Sequence, residues 1–240
     1  MNNNLDKVAI ILQGTSVDKK QMNTLYEYYN SLGFNNIIIS SYSDYIPDHL
    51  INEKFVINND NLLDKHFIED ANRFGSNTNY QILTTKIGID CVFINYPNVK
   101  YIMKHRADHR IDDLNEWGIT WIDRIKTKKR IISLGRNTQK ENFKWYIADY
   151  WNFGLKEDMK ILWNIPLIES EKAVYRRGEE YISSAFLKLD DNGKWDANKE
   201  IKGNIYDYYT FCPDVARCNW NYKINTFMTI SDCLEEENNR

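Results

Sequence analysis

Cysteine is scarce in this chain and never arranged for a metal. Cys91, Cys212, Cys218 and Cys233 include no CxxC pair, and CPDVARC spaces two of them six apart with no histidine beside them. That spacing excludes the common zinc motifs and points to a reduced compartment. Long apolar runs are also missing: none reaches the ~18–20 residues that a membrane-spanning helix needs. The opening MNNNLDK has no basic-then-apolar layout, so no signal peptide is expected. The expectation is a cytoplasmic protein without a transmembrane segment, with peripheral association at the inner face of a membrane left open. Excess positive charge is absent as well. A net charge of −3 argues against nucleic acid as a partner. The chain carries no GxGxxG, no Walker lysine and no GxSxG, which removes the dinucleotide, P-loop and serine-hydrolase fingerprints. His66, His105 and His109 offer no two-histidine metal spacing with a third ligand.

What is present is a folded α/β pattern. With 240 residues, 42% hydrophobic and 27% charged, the chain can bury a full core. Val8–Gln13 is a continuous apolar run closed by Gly14, the form of a first buried parallel strand. Lys19–Leu32 places Met22, Leu25, Tyr26, Tyr29 and Leu32 at helical spacing, and Gly33 stops it. Asn36–Ser40 is the second strand, completing a βαβ unit. Further strands are expected at Lys54–Asn58, Val99–Met103, Arg130–Leu134 and Trp145–Asp149, with Ile205–Phe211 either strand or helix. Helices are expected over ILTTKIGIDCVFI, Asn115–Lys129, Lys156–Trp163 and Glu169–Lys188. The expected architecture is one α/β domain over 1–240, with a mainly parallel central sheet flanked by helices and 190–240 as a C-terminal extension packed on it.

The densest chemistry lies in Lys104-His105-Arg106-Ala107-Asp108, at the expected end of a strand. Strand alternation points Lys104, Arg106 and Asp108 the same way. Ligands of open α/β sheets collect at strand C-terminal ends. Two cations and a carboxylate there suit a diphosphate with Mg²⁺ or Mn²⁺; a salt-bridge network at the sheet edge is the competing explanation. Asp112 and Asp113 are either further metal ligands or a helix cap. Asn58-Asn59-Asp60 ends another strand and is either a ribose contact or an Asx turn. Asn77, Asn79 and Gln81 precede a helix, as anion binders or as caps. Asp149 is followed by Tyr150-Trp151-Asn152-Phe153-Gly154, a carboxylate beside rings and an amide, as sugar sites often are. It is a candidate base toward an acceptor hydroxyl, or a ligand of the donor sugar. Asp158, beside Glu157, is the competing base, with a favourable place on a helix N-terminus as its alternative role.

In this order the segments resemble the WavE-type family of glycosyltransferases of bacterial lipopolysaccharide and capsule synthesis. AIILQG (9–14), IISSYSD (38–44), NTNYQILTTKIGI (77–89), KHRAD (104–108) and ADYWNFGLKEDMKILW (148–163) carry the likeness, over roughly residues 7–185. Tyr80 stands where the family usually has arginine, and Tyr42 where it has tryptophan. The resemblance implies a GT-A-like fold, a nucleotide-sugar donor and a glycan or glycolipid acceptor. Gln13, Gly14, Asp60, Gln81, Lys104 and Arg106 would then bind the donor, Asp108 would hold the divalent metal, and Asp149 or Asp158 would act as base. A non-catalytic module that binds a nucleotide sugar or glycan is the other function the chain allows.

Overall fold

The computed structural model describes residues 5–14, 18–60, 78–107, 131–135, 149, 151–168, 181–182, 185–186, 188 and 209–213. Among these, strands β1 (Val8–Gly14), β2 (Asn36–Ser41), β3 (Val56–Asn58), β4 (Tyr101–Arg106), β5 (Ile131–Gly135), β6 (Trp151–Leu155) and β7 (Tyr209–Pro213) form one sheet in the order β3-β2-β1-β4-β6-β5-β7. The pairings β1–β2, β1–β4, β2–β3 and β5–β7 are parallel, while β6 runs antiparallel to both β4 and β5. The fold is thus α/β with a mainly parallel sheet. β7 comes from the region expected to pack on the domain as an extension, and it is itself a strand of that sheet.

β1 is buried at all seven positions, as a central parallel strand covered on both faces must be. Alternation divides it: Val8, Ile10 and Leu12 join one core layer, Ala9 and Ile11 the other. Helix α1 (Lys19–Ser31) covers the first layer with Met22, Leu25 and Tyr29. It opens on a capping box in which Gln21 N–H donates to Asp18 Oδ1 at 2.7 Å and Asp18 N–H to Gln21 Oε1 at 3.3 Å. It ends where Gly33 takes a φ of 88°, a conformation glycine adopts without steric cost. Helices α2 (Thr78–Asn95) and α3 (Lys156–Trp163) cover the second layer through Ile82, Ile89, Val92, Met159, Leu162 and Trp163. Gly88 lets α2 approach the sheet: a Cβ there would lie 2.6 Å from Ile11 Cγ2.

Three elements depart from the sequence expectation. β4 was expected to stop at Met103 but continues through Lys104, His105 and Arg106, because each polar side chain meets a partner inside the fold. α2 begins at Thr78, so Asn79 and Gln81 lie within its first turn rather than before it. Trp151–Leu155, expected as a connection, is β6. Its alternation sends Trp151 and Phe153 into the α1-side core at 0% and 1% exposure. These rings therefore pack against protein, and the sugar-stacking role expected of them is corrected by their burial. Residues 145–148, expected as a strand, lie outside the described residues, as does the helix expected over 115–129.

Candidate functional site

Six of the seven strands point one way, so their carboxyl ends share one edge of the sheet. That edge brings together Gln13 and Gly14 of β1, Ser40 and Ser41 of β2, Asn58 at the end of β3 with Asn59 and Asp60 after it, and Arg106 at the end of β4 with Ala107 after it. β6 is reversed, so its amino end arrives at this same edge: His105 pairs with Trp151, and Asp149 lies just beyond.

Arg106 Nη1 donates to both carboxylate oxygens of Asp149, at 3.0 and 3.2 Å. The pair is largely enclosed, with side-chain exposures of 17% for Arg106 and 6% for Asp149. Lys104, two residues earlier on the same face, is fully buried. Its Nζ donates to the Asp149 backbone carbonyl and sits 4.9 Å from the centre of the Trp163 ring. The expected common direction of Lys104 and Arg106 is thus observed, and both turn to Asp149. His105 faces the opposite layer, where its Nδ1 is 2.5 Å from the Tyr29 hydroxyl. Burial pushes the Tyr29 phenol well above its ordinary pKa.

The other end of the edge is polar and tightly bonded. Ser41 Oγ donates to the Gly14 carbonyl. Asn59 is fully buried and donates from Nδ2 to Ser41 O at 3.0 Å and to Ser40 Oγ at 3.2 Å, while Ser40 Oγ donates to Thr84 O of α2 at 2.6 Å. The Ala107 N–H closes on Gln13 O at 2.7 Å. Asp60 N–H donates to Asn58 Oδ1 at 3.0 Å, the Asx turn that was one of the two expectations for this triplet. The Asp60 carboxylate stays exposed and accepts from Ser43 N–H at 2.9 Å and Asn58 Nδ2 at 3.1 Å. Hydrogen bonds from Ser43 hold its pKa below the usual carboxylate value, with Asn58 adding to the effect. Tyr42 and Tyr80 meet edge to face, ring centres 5.1 Å apart, and burial raises the Tyr42 phenol pKa strongly. The two positions that differ from the pattern the sequence resembles therefore contact each other.

Three buried amide oxygens at this edge, Gln13 Oε1, Gln81 Oε1 and Asn59 Oδ1, have no hydrogen-bond partner among the described residues. Buried polar atoms of that kind call for an explanation, and a ligand donor is one. Asn79 is instead committed to the fold: it donates to Ile168 O at 3.0 Å and accepts from Ile168 N–H at 2.7 Å.

Asp158 is the sequence candidate that the topology removes. β6 starts at the site edge and ends at the other, where Leu155 pairs with Tyr101 and Lys156 N–H donates to Lys100 O at 3.0 Å. A five-residue strand covers about 16 Å, so Asp158, in the first turn of α3, sits at the far edge from Arg106. Asp108, Asp112, Asp113 and Asn77 lie outside the described residues. Among the described residues, no three His, Cys, Asp or Glu side chains are grouped to hold a metal, and no helix is long and apolar enough to cross a membrane. The sequence singled out the Asn58-Asn59-Asp60 triplet, but not that Asn59, the middle member, turns inward and ties the end of β3 to β2.

No protein-family model and no curated protein matches the chain, so the WavE resemblance rests on its motifs. Among solved structures the chain is similar to a glycosyltransferase involved in the glycosylation of the major capsid of PBCV-1. The TM-score is 0.47 and the identity 11%, over 86% of this chain and 81% of that one. A likeness of that size bears no weight for activity, which has to be judged from the residues at the sheet edge.

Proposed function

We propose that the chain is a nucleotide-sugar-dependent glycosyltransferase with a GT-A-like fold, acting as a single domain. The observation that carries it is the convergence of Gln13, Gly14, Asp60, Arg106 and Asp149 on the carboxyl edge of a mainly parallel sheet, where such sheets place their ligands. The exposed Asp60 carboxylate would accept from the donor ribose, and the Gln13 and Gln81 amides would take donors of the nucleotide. Arg106, the less enclosed of the two β4 cations, would face the diphosphate and offset charge as it departs. Asp149 would be directed at the sugar or at the acceptor hydroxyl. Such catalysis is mostly positioning and charge stabilisation.

Asp108 is carried over from the resemblance as the carboxylate for Mn²⁺ or Mg²⁺, two residues beyond Arg106. A bound cation would share the diphosphate charge, and no step here runs through it. A glycan or lipid-linked acceptor in surface polysaccharide synthesis, met at the inner face of a membrane, completes the proposal.

The test is a panel of UDP-, GDP-, CMP- and TDP-sugars, with and without Mn²⁺. One donor at 100 times its dissociation constant should stabilise the fold by about 2.7 kcal/mol, roughly 5–10 °C for a chain of this length. The same donor should release nucleotide when acceptor is present. Asp108→Ala should abolish transfer and leave the melting temperature unchanged. Stabilisation with no release of nucleotide on long incubation would make the chain a binding module instead.

A further inference from the structure

The cations of β4 treat one residue in two different ways. Arg106 grips the Asp149 carboxylate, at 3.0 and 3.2 Å, while Lys104 donates to the Asp149 backbone carbonyl. Lys104 is 0% exposed, in register with Asn152 of β6 and Ile11 of β1, with Trp163 of α3 over its ammonium. A fully buried ammonium cannot also lie against the phosphates of a donor at the open edge. Nor is it an economical source of stability, since desolvating the charge offsets much of what its contacts return. What the arrangement does achieve is geometric. The bend at residue 149 precedes the reversed strand, and Lys104 ties its backbone to β4, just where Arg106 ties its side chain. A carboxylate anchored at both ends has few orientations left, which is the preorganisation that a reacting group needs.

We infer that Lys104 is a positioning residue that acts through Asp149, and not a ligand of the donor diphosphate. The catalytic part of this rests on the glycosyltransferase proposal; the structural part does not.

Lys104→Met keeps the length of the side chain against Trp163 and removes the donor. Hydrogen–deuterium exchange should rise at the Trp151–Phe153 amides and stay unchanged in α1; Lys104→Arg, which can still donate, should restore protection. Unchanged exchange at β6 in Lys104→Met would overturn the tether, whether or not the protein proves to be a transferase. In transfer assays Lys104→Met should lower kcat by up to about 100-fold with donor KM within roughly threefold. In the Asp149→Asn background it should lower kcat no further. A raised donor KM with kcat retained would make Lys104 a donor ligand and overturn the inference. A full additional loss of kcat in the Asp149→Asn background would do the same. If the wild-type protein transfers no sugar, the glycosyltransferase proposal fails, and the exchange experiment still decides the tether.

Discussion

Replacing Asp149 by asparagine should destabilise the protein more than replacing its partner Arg106 by glutamine. Both contacts of the pair are within hydrogen-bond distance, at 3.0 and 3.2 Å, and both side chains are mostly enclosed. Breaking a fully buried pair costs about 3–5 kcal/mol; the 17% exposure of Arg106 lets water recover part of that. Asp149→Asn takes the carboxylate from the Arg106 guanidinium and leaves Lys104, on the same strand face, with the backbone carbonyl alone, so a loss of about 3 kcal/mol is expected. Arg106→Gln leaves the carboxylate with the Lys104 ammonium still bound to the same residue, and about 1–2 kcal/mol is expected. At roughly 2–4 °C per kcal/mol, Asp149→Asn should melt about 6–12 °C lower. The double variant should show a coupling of about 1.5–3 kcal/mol by urea denaturation. That coupling should change little between 0.1 and 1 M salt, since an enclosed pair is weakly screened. The exposed pair Lys19–Asp48, at 42% and 86% exposure, should show almost no coupling at high salt. A coupling below about 0.5 kcal/mol, or Arg106→Gln costing more than Asp149→Asn, would refute the account of how β4 holds β6.

Gly88→Ala should destabilise by about 1–3 kcal/mol despite alanine's better helix propensity, because the new methyl meets the stiff β-branched Ile11 at 2.6 Å; denaturation midpoints check this, and a stabilised variant would refute the close approach. Tyr29→Phe should cost about 1–3 kcal/mol by taking the hydroxyl from His105 Nδ1, measured by thermal unfolding, where an unchanged midpoint would show the bond to be worthless. Asp60→Asn should flatten the acid limb of the stability–pH curve. The folded carboxyl has a depressed pKa, so its contribution is present above the ordinary value of about 3.9 and is lost as pH falls through the folded one. The effect should be small, because the group is exposed, and a steeper acid limb in the variant would have the wrong sign.

Much of the fold was legible because its signals were local. VAIIL is apolar at successive positions and became the strand buried on both faces; the helix after it showed both its periodicity and its terminal glycine. What was not legible depended on partners distant in sequence. KHR looks like a strand end by composition, and it is strand because Tyr29 and Asp149 satisfy its polar groups from 76 and 43–45 residues away. WNFGL looks like a ligand loop because the same rings serve sugars and cores. Only pairing with Met103 and Tyr101 on β4 decides between the two. Of the candidate site, the alternation of Lys104 and Arg106 was readable from the chain. Their joint attachment to Asp149 was not, since no pattern of spacing reports which strand lies beside which.

The reversal of β6 separates the two carboxylates that sequence proximity had grouped as rival bases. Asp149 and Asp158 are nine residues apart, and five of the intervening residues form a strand. Had β6 run parallel to β4, residue 149 would have fallen at the amino edge and residue 158 near the carboxyl edge, and Asp158 would have been the natural neighbour of Arg106. The antiparallel register, Tyr101 with Leu155 through His105 with Trp151, inverts that assignment. It also places the Arg106–Asp149 pair on the one pair of strands next to β1 whose directions oppose. There the charge pair does two things at once. It fixes the start of β6 against β4, and it sets a carboxylate and a guanidinium together at the mouth of the sheet. Under the proposed function, stability and chemistry would be coupled at this position, and a variant of Asp149 that lost activity without losing stability would separate them.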